Sequence, residues 1–187
     1  MAPPDSTSDT SDAQARQSPR GLQAPLFAFP FRLFFLSAAL IAAVLVPLWV
    51  FLLTRGGLDN LALPPMLWHQ HEMLAGFLNA AIAGFLLTAV CNWTGARPVA
   101  GGRLLAVWLL WLAGRLAMTF AGTWPMAASV IDLAFMPVLA WLAGIRIWHA
   151  RQYRQLVLMM VLAFCWVLDL LFHCLLYTSD AADDSQC

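Results

Sequence analysis

Five long apolar runs, separated by short polar segments, dominate the chain after residue 24. Each run is close to the roughly 20 residues that a helix needs to cross the hydrocarbon core of a bilayer. Because unpaired backbone groups are costly in lipid, segments of this kind have to be helical. The pattern therefore predicts an all-α fold, a polytopic transmembrane helix bundle with about five spans. The predicted spans are residues 33–53, 73–90, 104–120, 127–145 and 156–176.

Polar segments flank this predicted transmembrane domain, which covers residues 25–176. Residues 1–24 are rich in Ser, Asp, Pro and Gln, with little to bury, and predict a disordered tail. They do not form a signal peptide, because the tail and the apolar run after it are both too long. Residues 177–187 (YTSDAADDSQC) turn abruptly polar and acidic. They are either a short native tail or, the interpretation we favour, non-native sequence joined to a truncated gene.

The composition agrees with a membrane protein. The 187 residues are 61% hydrophobic and only 11% charged, which is more apolar surface than a soluble domain of this size can bury. The four cysteines match neither a zinc motif nor a disulfide framework. The sequence has no phosphate loop, nucleophile triad or basic surface for nucleic acid. The lipid bilayer is therefore the predicted partner, and an enzymatic reaction is not predicted.

Arginine placement predicts the orientation of the bundle. All ten basic residues are arginine, and they cluster on alternate sides of the predicted spans. Because positively charged loops stay in the cytoplasm, the N-terminus is predicted to be cytoplasmic. An odd number of spans then places the C-terminus on the outer side. The predicted cytoplasmic arginines are Arg16, Arg20, Arg32, Arg97, Arg103, Arg146, Arg151 and Arg154, whereas the opposite loops contain Arg55 alone.

Titratable residues near the outer ends of four spans form a second pattern. The motif WHQHEM, residues 68–73, heads the second run, and Arg115, Asp132, Asp169 and His173 lie in the outer halves of the last three. An ionised group at mid-bilayer costs on the order of 2.5–3.5 kcal/mol, so such groups usually face the protein interior and mark function. We expect one polar layer. It is a ligand or proton site, or only a structural ion pair of Arg115 with Asp132 or Asp169.

Helix geometry restricts how the two histidines of WHQHEM can act. His69 and His71 are two residues apart, roughly 200° around a helix, and point to opposite faces. They can share one ion only if the helix starts late, after the two prolines upstream. If the helix has begun by His69, then His69, Glu72 and Met73 share a face and His71 points elsewhere.

Two other spacings carry information about packing. Asp169 and His173 are four residues apart and share a helix face, so the carboxylate can orient the imidazole or accept its ring proton. Small residues recur at every fourth position of the second run. They favour close approach of another helix, with a slot for a planar macrocycle as the less favoured alternative. These small residues are Gly76, Ala80, Gly84 and Thr88.

Several blocks, in their order and spacing, resemble the NnrS family. They are PFRLFF at residues 30–35, WHQHEM at 68–73, IAGFLLTAV at 82–90 and NWTG at 92–95. Gly114-Arg115 and the region of Asp132 are also similar. The resemblance extends from about residue 25 to about residue 175. The family usually has proline before Asn-Trp, where this chain has Cys91, a departure that affects the end of the helix.

The resemblance implies a bacterial inner-membrane protein that contains haem and copper. It also implies a role in the nitric oxide response or in tolerance of nitrosative stress. Family members are about twice as long, with about twelve spans. The chain is therefore expected to be an N-terminal fragment, whose further partners are the remaining helices of the full-length protein.

Carried onto this sequence, the family's cofactors imply ligands among the histidines. His69, His71 and His173 are the cofactor ligands that the resemblance implies, and Met73 joins His69 and His71 as an implied metal ligand. Four further residues are expected to orient the ligands, to handle protons or to form ion pairs. They are Glu72, Arg115, Asp132 and Asp169.

Two other functions stay open at the level of the sequence. The intramembrane Arg, Asp and Glu groups also fit a proton- or ion-coupled transporter. They fit equally a structural subunit, in which the charges do no more than hold the helices together. An ion pair alone does not separate these possibilities from a metal site, because all three bury the same residue types.

Overall fold

The computed structural model describes residues 26–55, 63–120 and 124–184, with side chains described as far as residue 176. Within these ranges the chain forms helices and turns and contains no strand. The predicted disordered tail at residues 1–24 lies outside the described residues, as do the side chains of residues 177–187.

Five helices in the described ranges are long and apolar enough to cross a membrane, which confirms the predicted fold class. The fifth helix follows a short 3₁₀ turn, Tyr153–Gln155, and continues beyond the predicted span to Asp184. The helices are α1 (Pro30–Arg55), α2 (Pro65–Thr94), α3 (Gly102–Phe120), α4 (Pro125–His149) and α5 (Leu156–Asp184).

Helix α2 begins at Pro65, so it includes the whole WHQHEM motif. Proline suits this first helical position, because the N–H that it lacks has no partner there in any helix. The helix has therefore begun before His69, so the condition under which both histidines could share an ion is not met. The helix changes to π-helical hydrogen bonding over Glu72–Leu78 and returns to α-helix at Asn79. Such short π-helical segments often occur at functional sites.

Helix α4 is interrupted at Ala134, between Pro125–Leu133 and Phe135–His149. The cause lies three residues later, because Pro137 has no N–H to donate to the carbonyl of Leu133. That carbonyl instead accepts a hydrogen bond of 2.9 Å from Nε1 of Trp166 in α5. The proline that breaks α4 therefore also provides its polar attachment to α5.

Two apolar cores of unequal size are stacked along the bundle. The larger one includes Leu87, Leu104, Leu139 and Ile147, all fully buried, and occupies the half of the bundle away from the start of α2. We call the smaller one the apolar cap. It lies at the opposite end, where α2 and α4 begin and α3 ends. Its buried members are Leu52, Leu63, Trp68, Met118 and Ala128.

The stripe of small residues on α2 is used for close packing between helices, as predicted. A Cβ atom at Gly84 would lie 2.8 Å from a ring carbon of Phe35 in α1. Ala80 is fully buried in the larger core. Gly76 faces Arg115 of α3. Neighbouring helices therefore fill the stripe, which is not a slot for a macrocycle.

Candidate metal centre

Arg115 of α3 lies at the centre of a buried charged cluster between the two cores. Its Nη1 is 3.0 Å from Oε1 of Glu72, and its Nη2 forms an ion pair with Oδ1 of Asp132. All three residues are buried. Of the two partners that the sequence allowed for Arg115, the structure selects Asp132, and it adds Glu72.

Two neighbouring histidines, one from α2 and one from α5, complete this cluster. Nε2 of His71 lies 2.9 Å from Oδ2 of Asp132 and 3.5 Å from Oδ1 of Asp169. Nε2 of His173 lies 3.4 Å from the same Asp132 oxygen and 3.9 Å from the same Asp169 oxygen. Both imidazoles are buried. Two nitrogens and two carboxylate oxygens from three helices therefore face one small volume.

These four residues, which we call the donor group, have the composition and spacing of a metal site. One ligand atom from each of His71, Asp132, Asp169 and His173 lies within 4.8 Å of all the others. Imidazole nitrogen suits copper, zinc, iron and nickel, whereas carboxylate oxygen is a harder ligand that widens the choice to manganese. Both ring nitrogens of His71 are buried and make no hydrogen bond of good geometry among the described residues, and the oxygens nearest to them belong to the carboxylates of Asp132, Asp169 and Glu72. A bound metal ion, or a proton shared with these carboxylates, would satisfy them.

Ser129 is the hydrogen-bond partner of one ring nitrogen of His173. Its Oγ donates to the Pro125 carbonyl at 3.0 Å and lies 2.9 Å from Nδ1 of His173. Because the single hydroxyl proton goes to that carbonyl, Oγ is free to accept from Nδ1–H. Nε2 lies 3.4 Å from Oδ2 of Asp132, which can only accept, so a metal ion bound by Nε2 would take the place of a proton there. Metal-binding histidines are usually held in this way, by a hydrogen bond to the other ring nitrogen.

The charges in the cluster do not balance. Three carboxylates (Glu72, Asp132 and Asp169) face one guanidinium (Arg115), so the described groups carry two negative charges when both histidines are neutral. An uncompensated charge inside a membrane protein is expensive. A bound divalent cation, or two additional protons, would restore neutrality.

The structure separates the two histidines of the WHQHEM motif. His69 stacks on Trp49 of α1, with ring centroids 4.2 Å apart, and is outside the donor group. Glu72 contacts the charged cluster together with His71, whereas His69 does not. Adjacent helical residues project only about 100° apart, and the charged cluster lies between the directions of His71 and Glu72. Met73 is half-buried and takes no part in the cluster's hydrogen bonds or ion pairs within the described residues.

Two glycines give the charged side chains the space that they occupy. A Cβ at Gly76 would lie 3.0 Å from Oε2 of Glu72 and 3.3 Å from Cδ of Arg115. A Cβ at Gly114 would lie 3.0 Å from Oδ1 of Asp132 and 3.2 Å from its Cα. Sequence reasoning missed both roles, and it also missed Ser129. The available signals were the position of Gly114 next to Arg115 and the spacing of three residues between Ser129 and Asp132.

Gly114→Ala is expected to destabilise the bundle, because the added methyl group meets the α4 backbone at Asp132 and cannot be relieved by a side-chain rotation. Overpacking of this kind costs about 1–3 kcal/mol. The measurement is unfolding in mixed detergent micelles, followed by tryptophan fluorescence. Gly144→Ala is the matched control, since its new Cβ would meet only the sulfur of Met159, at 3.5 Å. Equal stability of the two variants would contradict the close approach of α3 and α4.

A cavity of about 240 Å³ lies beside the donor group, between α2 and α5. His71 and Asp169 contribute to its wall. Ligand cavities for molecules of drug size are about 300–1,000 Å³, so this cavity does not accommodate a haem. The described residues thus bring together the donors for a single metal ion, and the cavity that they form next to His71 is smaller than a haem.

Comparison with known proteins gives one result. A protein-family model described as "NnrS protein" matches residues 25–187. No curated protein and no solved structure matches the chain. The matched range contains all five helices and every residue of the charged cluster.

Proposed function

The chain belongs to the NnrS family, and we propose that it is a multi-pass metalloprotein that binds copper and serves the nitric oxide response or tolerance of nitrosative stress. The observation that carries the proposal is the donor group, in which four buried or nearly buried ligand atoms from α2, α4 and α5 lie within 4.8 Å of one another. Copper is the family's metal that this group suits, because divalent copper binds nitrogen and oxygen donors more tightly than the neighbouring first-row metals do.

Each residue of the cluster has a defined part in this proposal. His71 and His173 provide nitrogen ligands, and Asp132 and Asp169 provide oxygen ligands and negative charge. Arg115 holds the free oxygen of Asp132 and so orients that carboxylate. Bound copper supplies a redox-active centre with affinity for small ligands. The protein supplies a dry, fixed set of donors, which removes the need for them to reorganise when the metal binds.

Haem is implied by the family, but the described residues do not provide its pocket. The cavity beside His71 is too small, and His69 is covered on one ring face by Trp49. The proposal for this chain is therefore restricted to the metal ion.

We place the protein in the bacterial inner membrane with a cytoplasmic N-terminus. The support is the family together with the arginine distribution, since positively charged loops stay on the cytoplasmic side. In this orientation the donor group lies in the outer half of the membrane, because it is near the starts of α2 and α4 and near the end of α3.

Metal titration of the purified chain in lipid nanodiscs tests the proposal. The chain is first stripped of metal and then loaded with copper. We expect each chain to retain one copper ion through gel filtration, with the copper content measured by mass spectrometry. Electron paramagnetic resonance of the Cu(II) form should show nitrogen hyperfine structure from two imidazoles. A chain that releases all its copper on gel filtration would refute the metal site. A bacterial strain lacking the gene, complemented with the wild type or with a copper-free variant, tests tolerance of nitric oxide.

A proton- or ion-coupled transporter is the second candidate, and one observation favours it. Asp169 is partly exposed, with 14% of its side chain accessible, and it connects the buried cluster to the cavity. A carboxylate at such a boundary can exchange protons between a buried network and its surroundings. Proton-coupled flux in proteoliposomes by metal-free protein would favour this function over the copper site.

A further inference from the structure

The cavity between α2 and α5 has apolar walls and a polar floor. Leu74, Leu78, Leu168 and Phe172 form most of its walls, together with the thiol-bearing Cys165, and the amides of Gln70 and Asn79 add two polar groups. An uncharged molecule can enter such a space at little cost, whereas an ion would lose most of its hydration and find only these two amides along the walls.

The floor of the cavity is one face of the donor group. His71 and Asp169 line the cavity, whereas Asp132 and His173 face the donor group from the other side. An ion held by all four residues would therefore be shielded by protein on the side of α4 and would face the cavity on the other. Metal sites that bind external ligands keep one position open in this way.

The apolar cap covers the end of the bundle nearest to the donor group. Trp68 precedes His71 by three residues, Met118 follows Arg115 by three, and Ala128 precedes Asp132 by four. All three cap residues are buried. About one helical turn of apolar side chains therefore separates the charged cluster from the end of the bundle where the water would be.

Exposed residues mark the edge of the cavity: two leucines at mid-helix, and Gln70 nearer the start of α2. Leu74 is 62% exposed and Leu168 is 50% exposed, and these two leucines flank the cavity from α2 and α5. Because both helices are long enough to span a membrane, side chains that point away from this bundle at this height meet lipid or another apolar helix rather than water.

We infer that this cavity is the access path and binding site for a small, uncharged, weakly polar molecule that reaches the donor group from the lipid. Three features support this assignment: the apolar walls, the shared floor residues and the cap over the aqueous end. That the molecule meets a metal ion at the floor of the cavity rests on the proposed function. The existence of the access path does not depend on the metal, so the path and the metal site can be tested separately.

Cys165 allows a test without any metal. In a chain whose other cysteines are replaced by serine, incorporated in nanodiscs, small methanethiosulfonates modify the thiol. We expect the neutral methyl reagent to react at least tenfold faster than the charged sulfonatoethyl reagent. The control is a chain that keeps Cys174 alone. Cys174 is exposed on the same helix, and its ratio of rates corrects for partition of the two reagents into lipid. A corrected ratio near one at Cys165, or faster reaction with the charged reagent, would overturn the inference.

Two variants narrow the cavity at different points. Ala75→Phe fills it from α2, and Leu168→Trp blocks its mouth at an exposed position where folding is not at risk. Both should slow labelling of Cys165 by the neutral reagent about tenfold, while labelling of a lone Cys174 is unchanged. Unchanged labelling of Cys165 in Leu168→Trp would contradict the lateral path.

Carbon monoxide provides the second readout, with copper in the reduced state. Its association with the loaded protein, followed by the infrared band of the Cu(I) carbonyl, should slow in Leu168→Trp while copper content stays the same. Equal rates in the variant and the wild type would refute the path even though metal binds. If no copper binds at all, the proposed function fails, and the labelling experiment still decides the cavity.

Discussion

Replacement of His71 or His173 by alanine is expected to abolish copper binding, whereas replacement of His69 leaves it intact. His71→Ala and His173→Ala each remove one of the two nitrogen ligands and leave one imidazole and two carboxylates to bind the ion. Loss of a residue that only orients a ligand typically costs 10–100-fold in metal affinity, and loss of a ligand should cost more. His69 stacks on Trp49 and contributes no atom to the donor group.

The measurement is competition for copper with a chelator of known affinity, in nanodiscs, with unfolding followed in parallel to confirm that each variant is folded. Ser129→Ala provides an internal calibration, because it removes the acceptor that holds Nδ1–H of His173 while all four ligands stay in place. Its affinity should fall by about 10–100-fold, an effect between those of His69→Ala and His173→Ala. Copper binding that is lost in His69→Ala and kept in His71→Ala would transfer the site to the other histidine of the motif.

Arg115→Leu is expected to cause the largest loss of stability of any single substitution in the cluster. Removing one partner of a buried ion pair costs about 3–5 kcal/mol, because the remaining charge has no compensation. Here the guanidinium contacts two carboxylates, and its loss raises the buried excess from two negative charges to three. The measurement is unfolding in mixed micelles with the metal removed, so that a bound cation does not mask the effect.

A charge-matched second substitution separates electrostatics from packing. Arg115→Leu combined with Glu72→Gln returns the excess to the two negative charges of the wild type, and it should recover most of the lost stability. Arg103→Leu on the same helix is the control for loss of one positive charge at an exposed position. If Arg115→Leu is no less stable than Arg103→Leu, the cluster does not hold the bundle together.

The fold was predictable because lipid reduces the choice of structures to a few. Apolar runs of sufficient length have to be helices, and their number could be counted directly from the sequence. The start of α2 was not predictable in the same way. Polar residues such as His71 and Glu72 look like loop residues when a run of apolar letters is the only criterion. Their partners, which make the helix extend to Pro65, come from α3, α4 and α5.

The sequence singled out all four members of the donor group, but it also included His69 and Met73, and it could not give the pairings. The positions of Arg115, Asp132, Asp169 and His173 at one depth required only the direction of each helix. Which histidine of the WHQHEM motif joins them depends on how α2 is rotated against its neighbours. That rotation is set by contacts such as Gly76 against Arg115 and Gly84 against Phe35. The helical repeat of 3.6 residues in the sequence gives no information about these contacts between helices.

The apolar cap has a consequence for the lifetime of a bound ion. A hydrated cation would have to pass Trp68, Met118 and Ala128 to leave by the end of the bundle, or cross a cavity wall of leucine and phenylalanine. Both routes require it to lose its water before it meets new ligands, which is a high barrier. Copper in this position would therefore enter and leave slowly, so loading, removal and chelator competition on the folded chain need long incubations before they reach equilibrium.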